Sequence, residues 1–307
     1  MKAISGLSAL RSRAVMPCLA GVMLLALGGC QRSQPPAAAP PAAPTSTAQA
    51  PAASTPDANS AAPAPAPQAK PAAVRAPRTP LLIQHAGDPT GPIAYLVLEP
   101  ANAAPDLPVV IALHGRGDRA EQFARLAEGL QVPVRFVVAR APLPFGPSAG
   151  KQWFDSDSPE VSTQIATRVE ELVGLADRVH TAWPEAPKPL LLGFSQGAML
   201  AIQAVARHPG RFGAAVALSG FLPLEDGNAK AASAVPMLLS VGRRDTIIAP
   251  ERTQSAAKAL EALGHQPEIL EFEGGHSVPK PVVARVRTFL REHTGLPAEA
   301  PGAAPSP

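Results

Sequence analysis

Short apolar runs alternate with longer amphipathic segments along the chain between residues 79 and 295. Apolar runs of four to eight residues are typical of buried strands, whereas apolar residues spaced three to four apart are typical of helices. The pattern predicts strands at Ile93–Leu98, Val109–Leu113, Val134–Ala139, Leu190–Phe194, Ala214–Leu218, Met237–Val241 and Glu268–Phe272. It predicts helices at Arg119–Glu128, Pro159–Ala182, Gln196–Arg207, Glu251–Leu263 and Lys280–Arg291. This alternation indicates one α/β domain with a mostly parallel central sheet covered by helices on both faces.

Residues 1–29 have the composition of a signal peptide. Three basic residues precede an apolar stretch that is shorter than a membrane span. The stretch ends in Leu27-Gly28-Gly29-Cys30, which resembles a bacterial lipobox. The resemblance implies cleavage before Cys30 and a lipid on its thiol. Because no acidic residue directly follows Cys30, it also implies a location in the bacterial cell envelope, at the outer membrane and facing the periplasm. The alternative is an ordinary signal peptide cut nearby, with Cys30 a bystander.

Removal of residues 1–29 would lower both the number of cysteines and the net charge of the chain. The chain has two cysteines, and Cys18 lies in residues 1–29, so an acylated Cys30 leaves neither a disulfide nor a cysteine nucleophile. The formal net charge is +3, and residues 1–29 carry three basic residues and no acidic one. The rest of the chain is therefore close to neutral and gives no indication of nucleic-acid binding.

Two segments flank the predicted domain, 79–295. Residues 30–78 are almost entirely Ala, Pro, Ser, Thr and Gln and contain no aromatic residue, and residues 296–307 repeat the Pro/Ala composition. Such segments bury too little apolar surface to offset the entropy of ordering, so we expect a disordered linker and a loose tail. A spacer, at about 3 Å per residue where it is extended, is preferred over a partner-binding motif.

One serine lies between a predicted strand and a predicted helix, within Gly193-Phe194-Ser195-Gln196-Gly197. A G-x-S-x-G sequence in this context places the serine on a sharp turn above the sheet. Glycines two residues on either side avoid a collision between a Cβ atom and the neighbouring strand or helix. The sequence therefore predicts Ser195 as a nucleophile.

Two later loops supply partners for this serine. In open α/β sheets, functional residues lie in loops at the carboxyl ends of strands, and Asp245 and His276 each follow a predicted strand. Serine, aspartate and histidine in that order match the triads of α/β hydrolases. His276 is predicted as the base and Asp245 as the group that orients it. Asp226 is the alternative acid, and a turn or capping role for Asp245 and a surface role for His276 are the alternative interpretations.

The loop His114-Gly115-Arg116-Gly117 follows another strand and predicts part of an oxyanion hole. Two backbone donors are needed where the tetrahedral oxygen forms, and we assign the N–H groups of Arg116 and Gln196. The alternative is a Gly-rich turn that merely precedes a helix. Asp118 is expected to be the N-cap of that helix, and His114 a buried hydrogen-bonding residue rather than a base.

Other chemistries lack a motif in this chain. The sequence contains no Gly-x-Gly-x-x-Gly motif, no phosphate loop and no metal-type histidine spacing, since the seven histidines are scattered. No cofactor and no metal are therefore predicted.

Five motifs in order resemble the phospholipase/carboxylesterase family of α/β hydrolases, which includes the acyl-protein thioesterases. They are Leu-His-Gly-x-Gly-Asp118, Trp153-Phe154-Asp155, Gly-Phe-Ser195-Gln-Gly-Ala, Gly-x-x-Asp245 and Gly-His276. The resemblance covers most of residues 108–290 and implies an α/β-hydrolase fold without a large cap domain. It also implies that residues 141–158 help to build an acyl-binding groove.

The chain departs from that family at three places. It carries a lipobox and a spacer, residues 141–158 are rich in Pro, Gly and Ser, and Ile248-Ala249-Pro250 stands where the family has a valine-proline pair. Trp153 and Phe154 either line an acyl groove or pack the core. Further apolar residues in the loops are candidates for substrate contact, namely Phe221, Leu222 and Ile247.

The sequence favours a membrane-tethered extracytoplasmic serine hydrolase that cleaves small carboxylic esters or thioesters through an acyl-enzyme intermediate. A serine peptidase on the same fold, a polyester or feruloyl-type esterase, and a tethered module without activity are the alternatives. The oligomeric state is left open.

Overall fold

The computed structural model describes residues 81–84, 91–147 and 149–296, with backbone only for 81–84. All of these residues belong to one unit of the chain, residues 71–307. The predicted signal peptide, Cys30, the linker 30–78 and most of the tail 296–307 lie outside the described residues.

Eight strands form the central sheet. They are β1 (Leu81–Gln84), β2 (Tyr95–Pro100), β3 (Val109–Leu113), β4 (Arg135–Ala139), β7 (Leu190–Phe194), β8 (Ala215–Leu218), β9 (Pro236–Gly242) and β10 (Gln266–Phe272). Their order is β1-β2-β4-β3-β7-β8-β9-β10. The pairs β1–β2 and β2–β4 are antiparallel, and every pair from β4 to β10 is parallel. The carboxyl ends of the parallel strands therefore meet at one edge, where the predicted site residues follow.

Five helices cover this sheet, with bounds α1 (Ala120–Leu130), α2 (Val161–Ala182), α3 (Gln196–Arg207), α4 (Pro250–Ala262) and α5 (Lys280–His293). Apolar side chains of α2, α3 and α4 form the core on one face, and those of α1 and α5 form the core on the other. Successive residues of β3 alternate between the two cores, with Ile111 in one and Val110 in the other. This explains the unbroken apolar runs, because a strand buried on both faces needs apolar residues at every position.

Helix α3 lies at the centre of this arrangement. Every residue from Gln196 to Ala206 is buried, as expected for a helix that is apolar on all sides. It packs against β7 and β8 and follows the predicted nucleophile directly. The serine loop is therefore held by the most buried helix among those described.

All seven predicted strands and all five predicted helices are present, with bounds that differ by at most two residues. Three short strands were not predicted. Edge strand β1 has four residues, and β5 (Leu143–Pro144) pairs with β6 (Lys151–Gln152) in a hairpin of two residues per strand. Segments this short show no periodicity from which a strand can be predicted.

Candidate active site

Ser195 occupies a strained turn between β7 and α3. Its backbone has φ 54° and ψ −117°, a sparsely populated conformation for a residue with a side chain. A Cβ atom on Gly193 would overlap the carbonyl of Gly197, and one on Gly197 would overlap the carbonyl of Leu113. The two glycines thus allow the strand, the turn and the helix to approach closely enough to hold the serine in this conformation.

Asp245 and His276 are brought together from the loops after β9 and β10. The Nδ1 atom of His276 lies 2.8 Å from Oδ2 of Asp245, while Oδ1 accepts the N–H groups of Ile247 and Ile248 at 2.9 Å each. The two loops approach closely at Gly242, where a Cβ atom would lie 2.5 Å from the carbonyl oxygens of Gly274 and Gly275.

The charge state of Asp245 follows from these contacts. Its side chain is completely buried, whereas that of His276 is 18% exposed. Burial alone raises the pKa of the Asp245 carboxyl, but hydrogen bonds from Ile248, His276 and Ile247 outweigh it and lower that pKa below its ordinary value. The pair is therefore an ionised carboxylate that accepts a hydrogen bond from Nδ1 of the imidazole.

The imidazole of His276 also lies beside the serine loop. Its ring centroid is 4.9 Å from that of Phe194, the residue before Ser195. Asp226, the alternative acid, is exposed on a different loop, where its backbone carbonyl accepts a hydrogen bond from Arg207. The structure thus joins Asp245, rather than Asp226, to the histidine next to Ser195.

The two assigned oxyanion donors border the same turn. A Cβ atom on Gly115 would lie 3.4 Å from Cβ of Ser195, so the loop that carries Arg116 packs directly on the serine. The amides of Gly117 and Asp118 donate to the carbonyls of Lys151 and Gly115, at 2.7 and 3.3 Å, whereas the Arg116 amide has no such backbone acceptor within the described ranges. Gln196 is the first residue of α3, so its N–H has no acceptor within the helix.

His114 is buried and fully hydrogen-bonded. Its Nδ1 lies 2.8 Å from the carbonyl oxygen of Gly115, and its Nε2 accepts the N–H of Ala141 at 3.2 Å. These partners fix a neutral ring with the proton on Nδ1. Burial lowers the pKa of the His114 imidazole, and hydrogen bonding to Gly115 only partly opposes that shift. The ring is therefore a structural hydrogen-bonding group, as its sequence context predicted.

Asp118 is not the N-cap of α1, and that expectation was wrong. The helix begins at Ala120, and its N-cap residue is Arg119, whose backbone is extended at φ −140° and ψ 154°. The Asp118 carboxylate accepts the N–H of Arg119 at 2.8 Å. The extended residue thus places Asp118 one position before the cap.

The apolar candidates for substrate contact differ in exposure. Trp153 and Phe154 are 0% and 2% exposed and belong to the core, which is the packing role of the two that the sequence allowed. Phe221 is buried at 8%, Leu222 is half-buried, and Ile247 is 62% exposed. Phe145, at the β5–β6 hairpin, is 37% exposed and was not predicted from the sequence, since a lone aromatic in a Pro/Gly-rich segment gives no such signal.

Metal-binding clusters and membrane-spanning helices are both absent from the part of the chain that the structure describes. No group of three or more His, Cys, Asp or Glu side chains there is arranged to hold a metal ion. No helix in the same part is both long enough and apolar enough to cross a membrane.

These features together define an α/β hydrolase: a mostly parallel sheet with helices on both faces, a serine on a strained strand-to-helix turn, and an Asp–His pair in the later loops. The chain belongs to the Phospholipase/Carboxylesterase family, which matches residues 97–294. The family and fold expected from the five motifs are thereby confirmed, and the chain is an enzyme of the carboxylesterase class.

Two individual relatives are described as a carboxylesterase and an esterase, the first of them as probably inactive. A probable inactive carboxylesterase of Oryza sativa subsp. japonica is 30% identical over 205 residues, which cover 59% of this chain and 83% of the relative. The putative esterase NocK of Nocardia uniformis subsp. tsuyamanensis is 25% identical over 218 residues, 64% of this chain and 56% of its own length.

Solved structures give the same picture. Esterase PE8 is 27% identical, with a TM-score of 0.58 over 64% of this chain and 97% of that protein. A Bacillus cereus carboxylesterase has a TM-score of 0.59 over 66% of this chain and 96% of its own; at 15% identity the likeness shows the fold alone.

Proposed function

We propose that this carboxylesterase-family chain is a serine hydrolase that cleaves small carboxylic esters or thioesters through Ser195, His276 and Asp245. The observation that carries the proposal is the 2.8 Å Asp245–His276 pair, whose imidazole lies beside the strained serine turn. A serine at its ordinary pKa is a weak nucleophile and needs a base of this kind within reach.

The proposed mechanism gives each group a role. Asp245 accepts a hydrogen bond from the Nδ1–H group of His276, so Nε2 is the nitrogen left to accept the proton of the Ser195 hydroxyl. Attack by Oγ on the ester carbonyl forms a tetrahedral oxyanion, which the N–H groups of Arg116 and Gln196 stabilise. His276 then returns the proton to the leaving alcohol or thiol, and water hydrolyses the acyl-enzyme by the same steps.

Exposed apolar groups at this edge support a small acyl substrate. Ile247 is 62% exposed and lies two residues after Asp245. Phe145 is 37% exposed and lies in the β5–β6 hairpin, whose second strand, β6, is hydrogen-bonded to the Arg116 loop. Apolar surface of this kind contributes to binding by burying methylene groups of the substrate.

Labelling and hydrolysis in parallel test the proposal. A fluorophosphonate probe should label wild type but not Ser195→Ala, and the substitution should reduce kcat by about 10⁶ while the fold is retained. Ser255→Ala, on the exposed surface of α4, is the matched control and should label fully. Substantial activity in a clean Ser195→Ala preparation would overturn the serine mechanism. Faster turnover of aminoacyl-nitroanilides than of any p-nitrophenyl ester would count against an esterase and favour a peptidase.

We further propose that the enzyme is a lipoprotein of the bacterial cell envelope, anchored at the outer membrane through Cys30 and facing the periplasm. Support comes from the sequence alone: the lipobox-like Leu27-Gly28-Gly29-Cys30 and the Pro/Ala-rich spacer after it. Mass spectrometry should find acyl chains on Cys30, and Cys30→Ser should move the protein out of the membrane fraction or leave it unprocessed. A wild-type protein found wholly in the soluble fraction contradicts the anchor.

A further inference from the structure

The two assigned oxyanion donors lie on separate segments, the loop of Arg116 and the first residue of α3, and one buried tryptophan connects these segments. The indole N–H of Trp153 donates to the carbonyl oxygen of His114 at 2.8 Å. The backbone N–H of the same residue donates to Oε1 of Gln196 at 3.0 Å. Trp153 is therefore hydrogen-bonded at once to the loop that carries Arg116 and to the residue that supplies the other donor.

The Gln196 side chain is fixed at the second end of this connection. Its Nε2 donates to the carbonyl of Phe154 at 2.9 Å and to the hydroxyl of Ser156 at 3.2 Å, while Oε1 accepts from Trp153. Both ends of the side-chain amide are thus engaged with the 153–156 segment. Since Gln196 is 4% exposed, little solvent competes for these bonds.

His114 fixes the first end. The protonated Nδ1 of its ring donates to the carbonyl of Gly115, at 2.8 Å. That carbonyl and the Arg116 N–H belong to one trans peptide group, in which C=O and N–H point in opposite directions. The bond from His114, together with the longer bond that the same carbonyl accepts from the Asp118 amide at 3.3 Å, therefore turns the Arg116 N–H away from the His114 ring. The loop that carries this N–H packs on Ser195.

We propose that Trp153 and His114 are positioning residues that aim the two oxyanion-hole N–H groups, of Arg116 and Gln196, at the developing oxyanion. The proposal rests on the serine mechanism proposed above. It assigns Trp153 a role in the transition state rather than in substrate binding, which agrees with its complete burial.

Trp153→Phe tests the first residue, because it removes the indole N–H and keeps an aromatic ring in the core. We expect kcat for p-nitrophenyl butyrate to fall roughly 10- to 100-fold, less than the roughly 10²–10³ that follows removal of a donor. KM should stay within about twofold, because the bond acts when the oxyanion forms. The Ki of a trifluoromethyl ketone with the same acyl chain, whose serine adduct carries an oxyanion, should rise by the same factor as kcat/KM falls.

The control is the same substitution at the other tryptophan of the chain. Trp183 lies after α2 and stacks on the guanidinium of Arg135, the first residue of β4. Since β4 and β7 run in the same direction, this is the edge of the sheet opposite to the one that carries the Ser195 turn. Trp183→Phe should leave kcat, KM and Ki unchanged. Unchanged kcat and Ki in Trp153→Phe, or a raised KM with unchanged kcat, would overturn the proposal; activity in Ser195→Ala would instead overturn the serine mechanism.

Two amide substitutions at His114 test the second residue, and they do so even if the Trp153→Phe variant fails to fold. Asn places its NH₂ group where Nδ1 stands and can donate to the Gly115 carbonyl, whereas Gln places its terminal amide where Nε2 stands and faces Ala141. His114→Asn should keep kcat within about threefold, and His114→Gln should lose roughly 10-fold or more with KM retained. Equal kcat in the two variants would overturn the assignment of His114.

Discussion

Oδ2 of Asp245 lies 2.8 Å from Nδ1 of His276, while Oδ1 of the same carboxylate accepts two backbone N–H groups. The Asp245 carboxylate is therefore held in place by its own loop as well as by the histidine. It fixes both the tautomer and the direction of the imidazole. Because the loop contacts do not depend on His276, the effect of Asp245 on catalysis can be separated from its effect on folding.

Asp245→Asn should preserve the fold and reduce kcat by about 10⁴, because the amide stabilises the wrong tautomer of His276 and cannot stabilise the imidazolium. Asp226→Asn is the matched control, since Asp226 is the other acid between Ser195 and His276 that the sequence allowed. Steady-state kinetics of both variants check the prediction. A larger loss in Asp226→Asn would reassign the acid.

Two glycines should respond in opposite directions to alanine. Gly197→Ala forces a Cβ atom into the carbonyl of Leu113 and should lower the free energy of unfolding by more than about 2 kcal/mol. A Cβ atom on Gly174, inside α2, would have no neighbour within 4 Å, so Gly174→Ala should raise that free energy by about 0.5–1 kcal/mol. Urea denaturation measures both changes. Equal destabilisation by the two variants would contradict the packing described for the serine turn.

His265 should make the fold sensitive to acid. The residue is 4% exposed, neither ring nitrogen has a hydrogen-bond partner in the described part of the chain, and burial lowers the pKa of the imidazole from 6.5. The pKa of His265 is lower in the folded chain than in the unfolded chain, so between the two values the unfolded chain binds more protons. The stability associated with a neutral His265 is therefore complete above about pH 6.5 and is lost as the pH falls toward the folded pKa.

His265→Leu should therefore unfold at similar or higher urea than wild type at about pH 7.5, and should lose less stability than wild type between about pH 7.5 and about pH 5. His208→Leu is the control, because His208 is partly exposed and lies 2.9 Å from Glu170. If His265→Leu kept the full acid sensitivity of wild type, the buried imidazole would not be its source.

Ile247 should contribute to selection of the acyl chain. For p-nitrophenyl esters of two to twelve carbons, kcat/KM should rise over the first few carbons, by at most about 0.8 kcal/mol per methylene, and then level off. Ile247→Asp should flatten that rise and leave the two-carbon ester nearly unchanged. Ile269→Asp, an exposed isoleucine on β10, is the matched control and should alter neither. A parallel loss for all chain lengths in Ile247→Asp would indicate damage to the adjacent Asp245 loop instead.

Much of this fold was predictable from sequence because its strands are buried on both faces. Uninterrupted apolar runs such as Val109–Leu113 mark such strands, and the glycines around Ser195 mark a turn where strand and helix approach closely. The order of Asp245 and His276 in later loops then indicates which groups pair beside the serine loop.

Contacts between segments distant in sequence were not predictable in this way. The hydrogen bonds of Trp153 to His114 and Gln196 join residues about 40 positions apart in the chain, and no local periodicity encodes them. The exposure of individual apolar residues was not predictable for the same reason. Trp153 and Ile247 are both apolar residues in loops, and only the packing of several loops buries the first and exposes the second.

The positive φ of Ser195 has an evolutionary consequence. Holding a residue with a side chain in such a conformation costs about 1–3 kcal/mol, and glycine would adopt it more readily. Under the proposed serine mechanism, selection for turnover retains the serine against this cost. In a lineage that no longer needs hydrolysis, substitution by glycine would relieve this cost, so loss of the serine should be an easy step within the fold.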